Sequence, residues 1–308
     1  MRIPNMTMAE GLVDRLNSLR TKQNQINSQL ATGQRINLAS EDPQAASRVI
    51  SLRSEVSITQ LYARNASVAS SISETTGSAL GSLFTDVYLG ATEVVASASS
   101  GNVNDSQRAA YATTVNQLIL QAVQLGNTRF NQQYLFNGSA IDTAPFRVQG
   151  DSSRPTAVLG PDKDDAGNAV DPLEPITIKI ADSLELSPYN SGGNNQKIGA
   201  FIQRLVDLRD ALLTNNSDEV RSKGEALKQS EQDLANMIAE NGAQASRLES
   251  LSDSMAIRFA NITEQTARET SVDIAEAMVN LTKVQTAYQA AMQAGAQILR
   301  LSLLDYIR

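Results

Sequence analysis

The acidic side chains are the residues whose types and spacing could do chemistry in this sequence. Glu41-Asp42 could hold a divalent cation between adjacent carboxylates. The run DKDDAGN, residues 162–168, is similar to the start of a calcium-binding loop. Each has a plainer reading. Asp42 stands directly before Pro43, the pattern of a helix N-cap followed by proline at the first helical position. Its charge and that of Glu41 then sit at the positive end of the helix that follows, and this reading is favoured over a metal pair. The acidic run lacks a glutamate at the twelfth loop position, where Leu173 stands, so a solvated turn is favoured there. Ser222-Lys223 could be a nucleophile and its base, but the pair falls inside a helical pattern, on a solvated face. The chain has no Cys and no His. Disulfides, thiol nucleophiles, Cys/His zinc sites and a His-based triad are therefore excluded. The expectation is a protein that is not an enzyme, with no cofactor and no metal.

What remains is a chain built to pack helices. Its 308 residues carry only 4% aromatics and 19% charged residues, which suits thin helical layers better than one large globular core. The net charge of -7 argues against a nucleic-acid partner. No Lys/Arg block suggests an anionic membrane. The first residues, MRIPNMTMAEG, form no apolar signal-peptide core. The last helix carries polar residues in every turn, so no membrane insertion is expected.

Two segments at opposite ends of the chain match each other. Residues 7–31 place Met8, Leu12, Leu16, Leu19, Gln23, Ile26 and Leu30 on one stripe. Thr7 with Glu10 reads as a capping box and Gly33 as the stop. Residues 272–308 place Ile274, Met278, Leu281, Gln285, Tyr288, Met292, Gly295, Leu299, Ser302 and Tyr306 at alternating four- and three-residue steps. Gln23 and Gln285 are either register markers or rim residues; the spacing leaves both open. The pattern selects Leu12, Leu16, Leu19, Ile26, Leu30, Ile274, Met278, Leu281, Tyr288, Met292, Leu299 and Leu303 as residues of an assembly interface. The same stripes could serve pairing within one chain and contact between chains.

Between the ends the order is helix out, β-rich insert, helix back. From Pro43 to about Ser100 one heptad pattern runs without proline, enough for a helix on the order of 85 Å. A bend in it is expected at Gly77–Gly81. Asn104 or Asp105 caps a helix that Gly126-Asn127 closes. Tyr134-Leu135-Phe136 before Asn137-Gly138 reads as a strand and tight turn, and Ile176, Ile178 and Ile180 alternate as in a half-buried strand. Helix returns at Ile198, and a second long helix starts at Ser217. Asn241-Gly242 inside it is weak helix chemistry that packing is expected to override. A cap or break is expected around Thr270–Asp273. The fold class is mainly α: an elongated, coiled-coil-like bundle of long helices from both ends of the chain, with a small β-rich inserted domain. The expected domains are 1–40 with 272–308, 41–140 with 198–271, and the insert 141–197.

Two stretches carry a family resemblance. ATGQRINLASEDPQAAS, residues 31–47, and QTAYQAAMQAGAQILRLSLLDYIR, residues 285–308, resemble the ends of the flagellin superfamily. Within it, Asp42-Pro43, the stretch QQYLFNGSAIDTAPF (132–146) and the closing SLLDYI are most similar to the hook–filament junction family; Asn137 departs from the Ala or Gly common there. The resemblance implies a structural subunit of the bacterial flagellum, secreted unfolded through the flagellar type III apparatus to an extracellular position at the hook–filament junction. It implies a homo-oligomeric ring that meets flagellin on one side and a neighbouring hook-associated junction protein on the other, with an export chaperone on the C-terminal helix. Terminal helices would form an inner tube, long helices a middle layer and the insert the outer surface. Filament flagellin is the nearest alternative. A type III tip or translocator protein shares long helical hairpins but not these paired terminal signatures.

Overall fold

The computed structural model describes residues 3–100, 103–149, 156–159, 176–187, 192–214 and 216–306. The helices are α1 (Ile3–Thr32), α2 (Pro43–Ser82), α3 (Leu89–Ala98), α4 (Asp105–Gly126), α5 (Gly192–Leu213), α6 (Ser217–Thr270) and α7 (Ile274–Tyr306). A π-helical turn, Leu83–Tyr88, joins α2 to α3. The strands pair as three antiparallel hairpins among the described residues. These are β1 (Arg129–Phe130) with β2 (Gln133–Tyr134), β3 (Phe146–Gln149) with β4 (Thr156–Leu159), and β5 (Ile178–Ala181) with β6 (Leu184–Leu186). The mainly helical class with a small β component is as the sequence implies. The acidic run 162–168 lies outside the described residues.

The chain divides into two compact units, residues 1–59 with 257–308, and residues 60–256. The second unit holds the larger core. Leu80, Leu83, Val87, Ile119, Phe136, Phe201, Ile202, Leu205, Leu227 and Leu234 are all buried in one cluster. Helices α4 and α5 pack against each other, and β3 and β4 lie on them. Asn104 caps α4 through a full capping box with Gln107. At the other end of α4, Asn127 acts as a strand partner with its side chain. Its Nδ2 donates to the Phe146 carbonyl at 2.8 Å, and the Phe146 N–H donates to its Oδ1 at 3.0 Å. The β5–β6 hairpin seats Ile180 and Leu186 on Ala66, Ala69 and Leu248. Tyr62 Oη donates to Asp182 at 2.8 Å beside it. The described residues between 141 and 197 lie within the unit formed by residues 60–256.

Helix α6 keeps its heptad. Val220, Leu227, Leu234, Asn241, Leu248, Met255 and Ile262, spaced by seven, are all buried. Asn241 is the polar member, and it is matched. The Ser73 hydroxyl donates to Asn241 Oδ1 at 3.1 Å, and Asn241 Nδ2 donates to the Ser73 carbonyl at 2.9 Å. A Cβ on Gly77 would lie 2.9 Å from that Nδ2, so glycine makes the room. Replacing Asn241 with alanine removes both side-chain bonds, leaves the Ser73 hydroxyl only the long bond to the main-chain carbonyl of residue 241 at 3.4 Å, and opens a void. It should cost about 1–3 kcal/mol in urea unfolding followed by circular dichroism.

Four local expectations are corrected. Thr7 does not cap α1, because the helix already runs from Ile3; Pro4 fits its first turn, where no N–H is needed. The helix passes Gly77 and Gly81 without a break. The irregularity is the π turn just beyond, where one extra residue lets Leu83, Val87 and Tyr88 all be buried. The Tyr88 hydroxyl there donates to Glu231 at 2.7 Å; burial, reinforced by that carboxylate, pushes it up to about 12. The tight hairpin turn is at Asn131 and Gln132, both with positive φ, rather than after Phe136. Leu135 and Phe136 sit in a turn as core residues. Asn137 is buried and holds that loop, donating to the Ala140 and Thr143 carbonyls at 3.0 Å each. The first helix after the insert begins at Gly192, earlier than Ile198.

Candidate assembly site at the joined chain ends

In the first unit, α1 and α7 pack together. They run antiparallel, with Leu12 against Gly295 at one level and Gly33 bonded to Val272 at another. The joint forms where α1 ends. Gly33 takes a φ of +68°, the conformation that stops a helix at little cost for glycine. The chain then makes an antiparallel bridge between Gln34 and Ser271. The Arg35 N–H donates to the Thr270 carbonyl at 2.7 Å, and the Val272 N–H donates to the Gly33 carbonyl at 3.1 Å. Helix α7 restarts three residues later on its own cap: Asp273 Oδ1 accepts from the Ala275 and Glu276 N–H groups at 2.9 and 3.1 Å.

Charged groups tie the joint. Asp42 is the cap that its position before Pro43 suggests, accepting from the Ala45 N–H at 3.0 Å. Glu41 accepts from the Asn37 N–H at 2.9 Å, closing the loop on itself. Arg48 grips Glu269 with two bonds, Nε to Oε1 at 3.1 Å and Nη2 to Oε2 at 3.0 Å. Further along, Arg258 Nη2 donates to Glu55 at 2.7 Å. The Ala45 amide holds the Asp42 carboxyl below its ordinary range, helped by Arg35. The Arg48 guanidinium does the same for Glu269.

Both carboxylates therefore titrate lower in the folded chain than in the unfolded one. The stabilisation they bring is complete above the ordinary carboxylate range, near pH ~4. It is lost as pH falls through the lower, folded values. Thermal melting of the wild type should weaken over that acidic window. The Glu269→Gln variant should show a shallower loss there, and added salt should shrink the difference, because these pairs face solvent.

The seam between α1 and α7 is thin. Ile26 and Ala277 are buried, as is Gly295, where a Cβ would meet Leu12 Cδ2 at 2.5 Å. Leu12, Leu16, Leu19 and Leu30 are half-buried, as are Leu281, Val284, Tyr288 and Ala291. The line of α7 that covers α1 is thus Ala277, Leu281, Val284, Tyr288, Ala291 and Gly295. It shares Leu281, Tyr288 and Gly295 with the stripe read from the sequence. Other described members of that stripe point elsewhere: Ile274 is 62% exposed, Met278 52% and Met292 51%, joined by Val279 at 53%. Small residues let α1 come close, whereas a reading by apolar size selects the large neighbours one position away. Gln285 is exposed and Gln23 half-buried, so neither pins the register from inside the seam. The side chains of Leu299 and Leu303 lie outside the described residues.

The outward face has a shape of its own. Val279, Thr282, Lys283, Thr286, Ala287 and Ala290 line a shallow groove of about 590 Å³. The Thr282 and Thr286 hydroxyls are satisfied on their own helix, donating to the Met278 and Thr282 carbonyls. Their methyls are left to line an apolar surface. One helix pair thus carries two apolar faces, one satisfied inside the chain and one open. No group of three or more carboxylates that could hold a metal ion occurs among the described residues. No described helix is long and apolar enough to cross a membrane.

Comparison with known families matches both arms of this joint. Residues 3–140 match the bacterial flagellin N-terminal helical region, and residues 224–307 match the bacterial flagellin C-terminal helical region. This chain belongs to the flagellin family. Among flagellin-family relatives, the flagellar hook-associated protein 3 of Escherichia coli K12 is 26% identical over 296 residues, covering 89% of this chain and 90% of that protein. Two solved structures share the fold. A flagellar hook-associated protein from Vibrio parahaemolyticus superposes with a TM-score of 0.62 at 16% identity, over 75% of this chain and 100% of that one. Bacillus cereus FlgL superposes with a TM-score of 0.58 at 16% identity, over 70% and 99%. The chain is accordingly a structural, helical component of the flagellar apparatus.

Sequence reasoning missed Arg35. Its side chain reaches the Asp42 carboxylate and the Glu269 main chain. An arginine placed between a helix-stopping glycine and a capping aspartate is the local signal that could have marked it.

Proposed function

We propose that this protein is the flagellar subunit of the hook–filament junction, assembled into a ring through its terminal helices. The observation that carries the reading is the similarity to hook-associated protein 3 of Escherichia coli over 89% of this chain, joined to an α7 whose outer face is apolar and unpaired. The inner seam pairs α7 with α1 of the same chain. The outer face, through Ile274, Met278 and Met292, meets neighbouring subunits, and buries apolar area that one chain alone leaves wet. In this reading the terminal helices form the inner domain of the ring. Flagellin lies on one side and a hook-side junction protein on the other. Before assembly the chain is secreted through the flagellar export route, and the same outer face of α7 is covered by an export chaperone.

The test is immunogold labelling of flagella with an antibody to this chain. Label confined to the boundary between hook and filament is the expected result. Label along the filament would instead make it a filament flagellin, and absence from flagella would end the reading.

A further inference from the structure

Arg35 is bonded to three helices at once. Its carbonyl accepts from Gln29 Nε2 of α1 at 2.7 Å. Its Nη1 donates to Oδ2 of Asp42, the cap of α2, at 3.3 Å. Its N–H and Nη2 donate to the last carbonyls of α6, Thr270 at 2.7 Å and Glu269 at 3.1 Å. Nη2 also lies 3.9 Å from the Glu269 carboxylate. Among the described residues, the helix pair that depends on this joint has few buried side chains of its own, and its two strands of chain meet across a separation of more than two hundred residues.

From this convergence we infer that Arg35 is the positioning residue of the terminal pair: docking of the segment 269–272 onto it sets loop 33–42 and thereby holds α1 against α7. Only arginine fits the place. Its planar fork reaches a carboxylate on one side and a main-chain carbonyl on the other, whereas a lysine ammonium offers one point of contact. The joint is then a latch with two states. With 269–272 docked, both guanidinium branches and the bridge between Gln34 and Ser271 are satisfied. With that segment withdrawn, Arg35 keeps only Asp42 and Gln29, and α1 loses its anchor. The inference deepens the assembly reading of α1 and α7 and rests on it for its biological meaning.

The test is hydrogen exchange on the full-length monomer. In Arg35→Ala, amides of α1 and α7 should exchange roughly tenfold faster than in the wild type, while the core of residues 60–256 is unchanged. Arg35→Lys should fall between. Gln34 and Ser271 face each other as a non-hydrogen-bonded pair, flanked by the two bridging bonds. Such a pair has the spacing a disulfide needs, about 4.5 Å between Cα atoms. The chain has no other cysteine. Adding Gln34→Cys and Ser271→Cys to Arg35→Ala should restore slow exchange when oxidised and lose it again on reduction. Unchanged exchange in Arg35→Ala overturns the inference, as does an oxidised bridge that fails to restore it. If Arg35→Ala unfolds throughout, Arg35→Lys carries the same comparison, and either of those two results overturns the inference there as well. Immunogold label away from the hook–filament boundary would fail the functional reading and leave the exchange result standing.

Discussion

Replacing Met278 and Met292 together by aspartate should abolish incorporation into flagella while leaving the monomer folded. Both side chains are more than half exposed in the single chain. Their loss should shift monomer stability by no more than about 1 kcal/mol, most of it helix propensity. In an assembled subunit the same positions would be covered, and each unpaired carboxylate would cost several kcal/mol to bury. A cost of that size repeated at every subunit contact is enough to stop a ring. Leu281→Asp makes the contrast, because Leu281 lies on the line facing α1. It should loosen the terminal pair in the monomer itself. Circular dichroism on the purified chains and electron microscopy of complemented cells separate the two effects. Normal flagella with the double aspartate variant would remove the outer face of α7 from the assembly site.

Phe201→Ala should be severely damaging to the chain's own stability. Phe201 is 1% exposed and sits in the cluster that holds Leu80, Ile119, Leu205 and Leu227. Truncating a buried phenylalanine costs about 3–5 kcal/mol, transfer and cavity together. Against a typical domain stability of about 5–15 kcal/mol that is a large share. Urea unfolding of the variant should show a lower midpoint for residues 60–256 with an unchanged slope. A midpoint within error of the wild type would mean that the core collapses around the gap.

The long helices were readable because their evidence is repeated. Seven buried positions at intervals of seven along α6 tolerate one odd member. That odd member, Asn241, could not be interpreted from propensity alone. Its meaning is set by Ser73, which lies 168 residues away. The π turn left no trace, because it adds a single residue within a continuous helix. The loop before Pro43 gave up its cap, since capping is local, but it hid Arg35, whose partners lie across the whole chain. On α7 the period was legible and the face was not. Ala277 and Ala291 look too small to be a seam until α1 is placed against them. The β segments were blurred for a related reason: strands of two to four residues carry too few side chains to display alternation.

The bridge between Gln34 and Ser271 also fixes a sequence in time. Contacts so far apart along the chain must wait for the intervening length to become compact, since closing a longer loop costs more entropy before any contact offsets it. The helices α4 and α5 are separated by residues 127–191, close a much shorter loop and meet a smaller delay. The joint is therefore the last part of the chain to close in folding and the first to open in unfolding. Refolding from urea should show two phases, with exchange protection in the core of residues 60–256 leading and protection of α1 following.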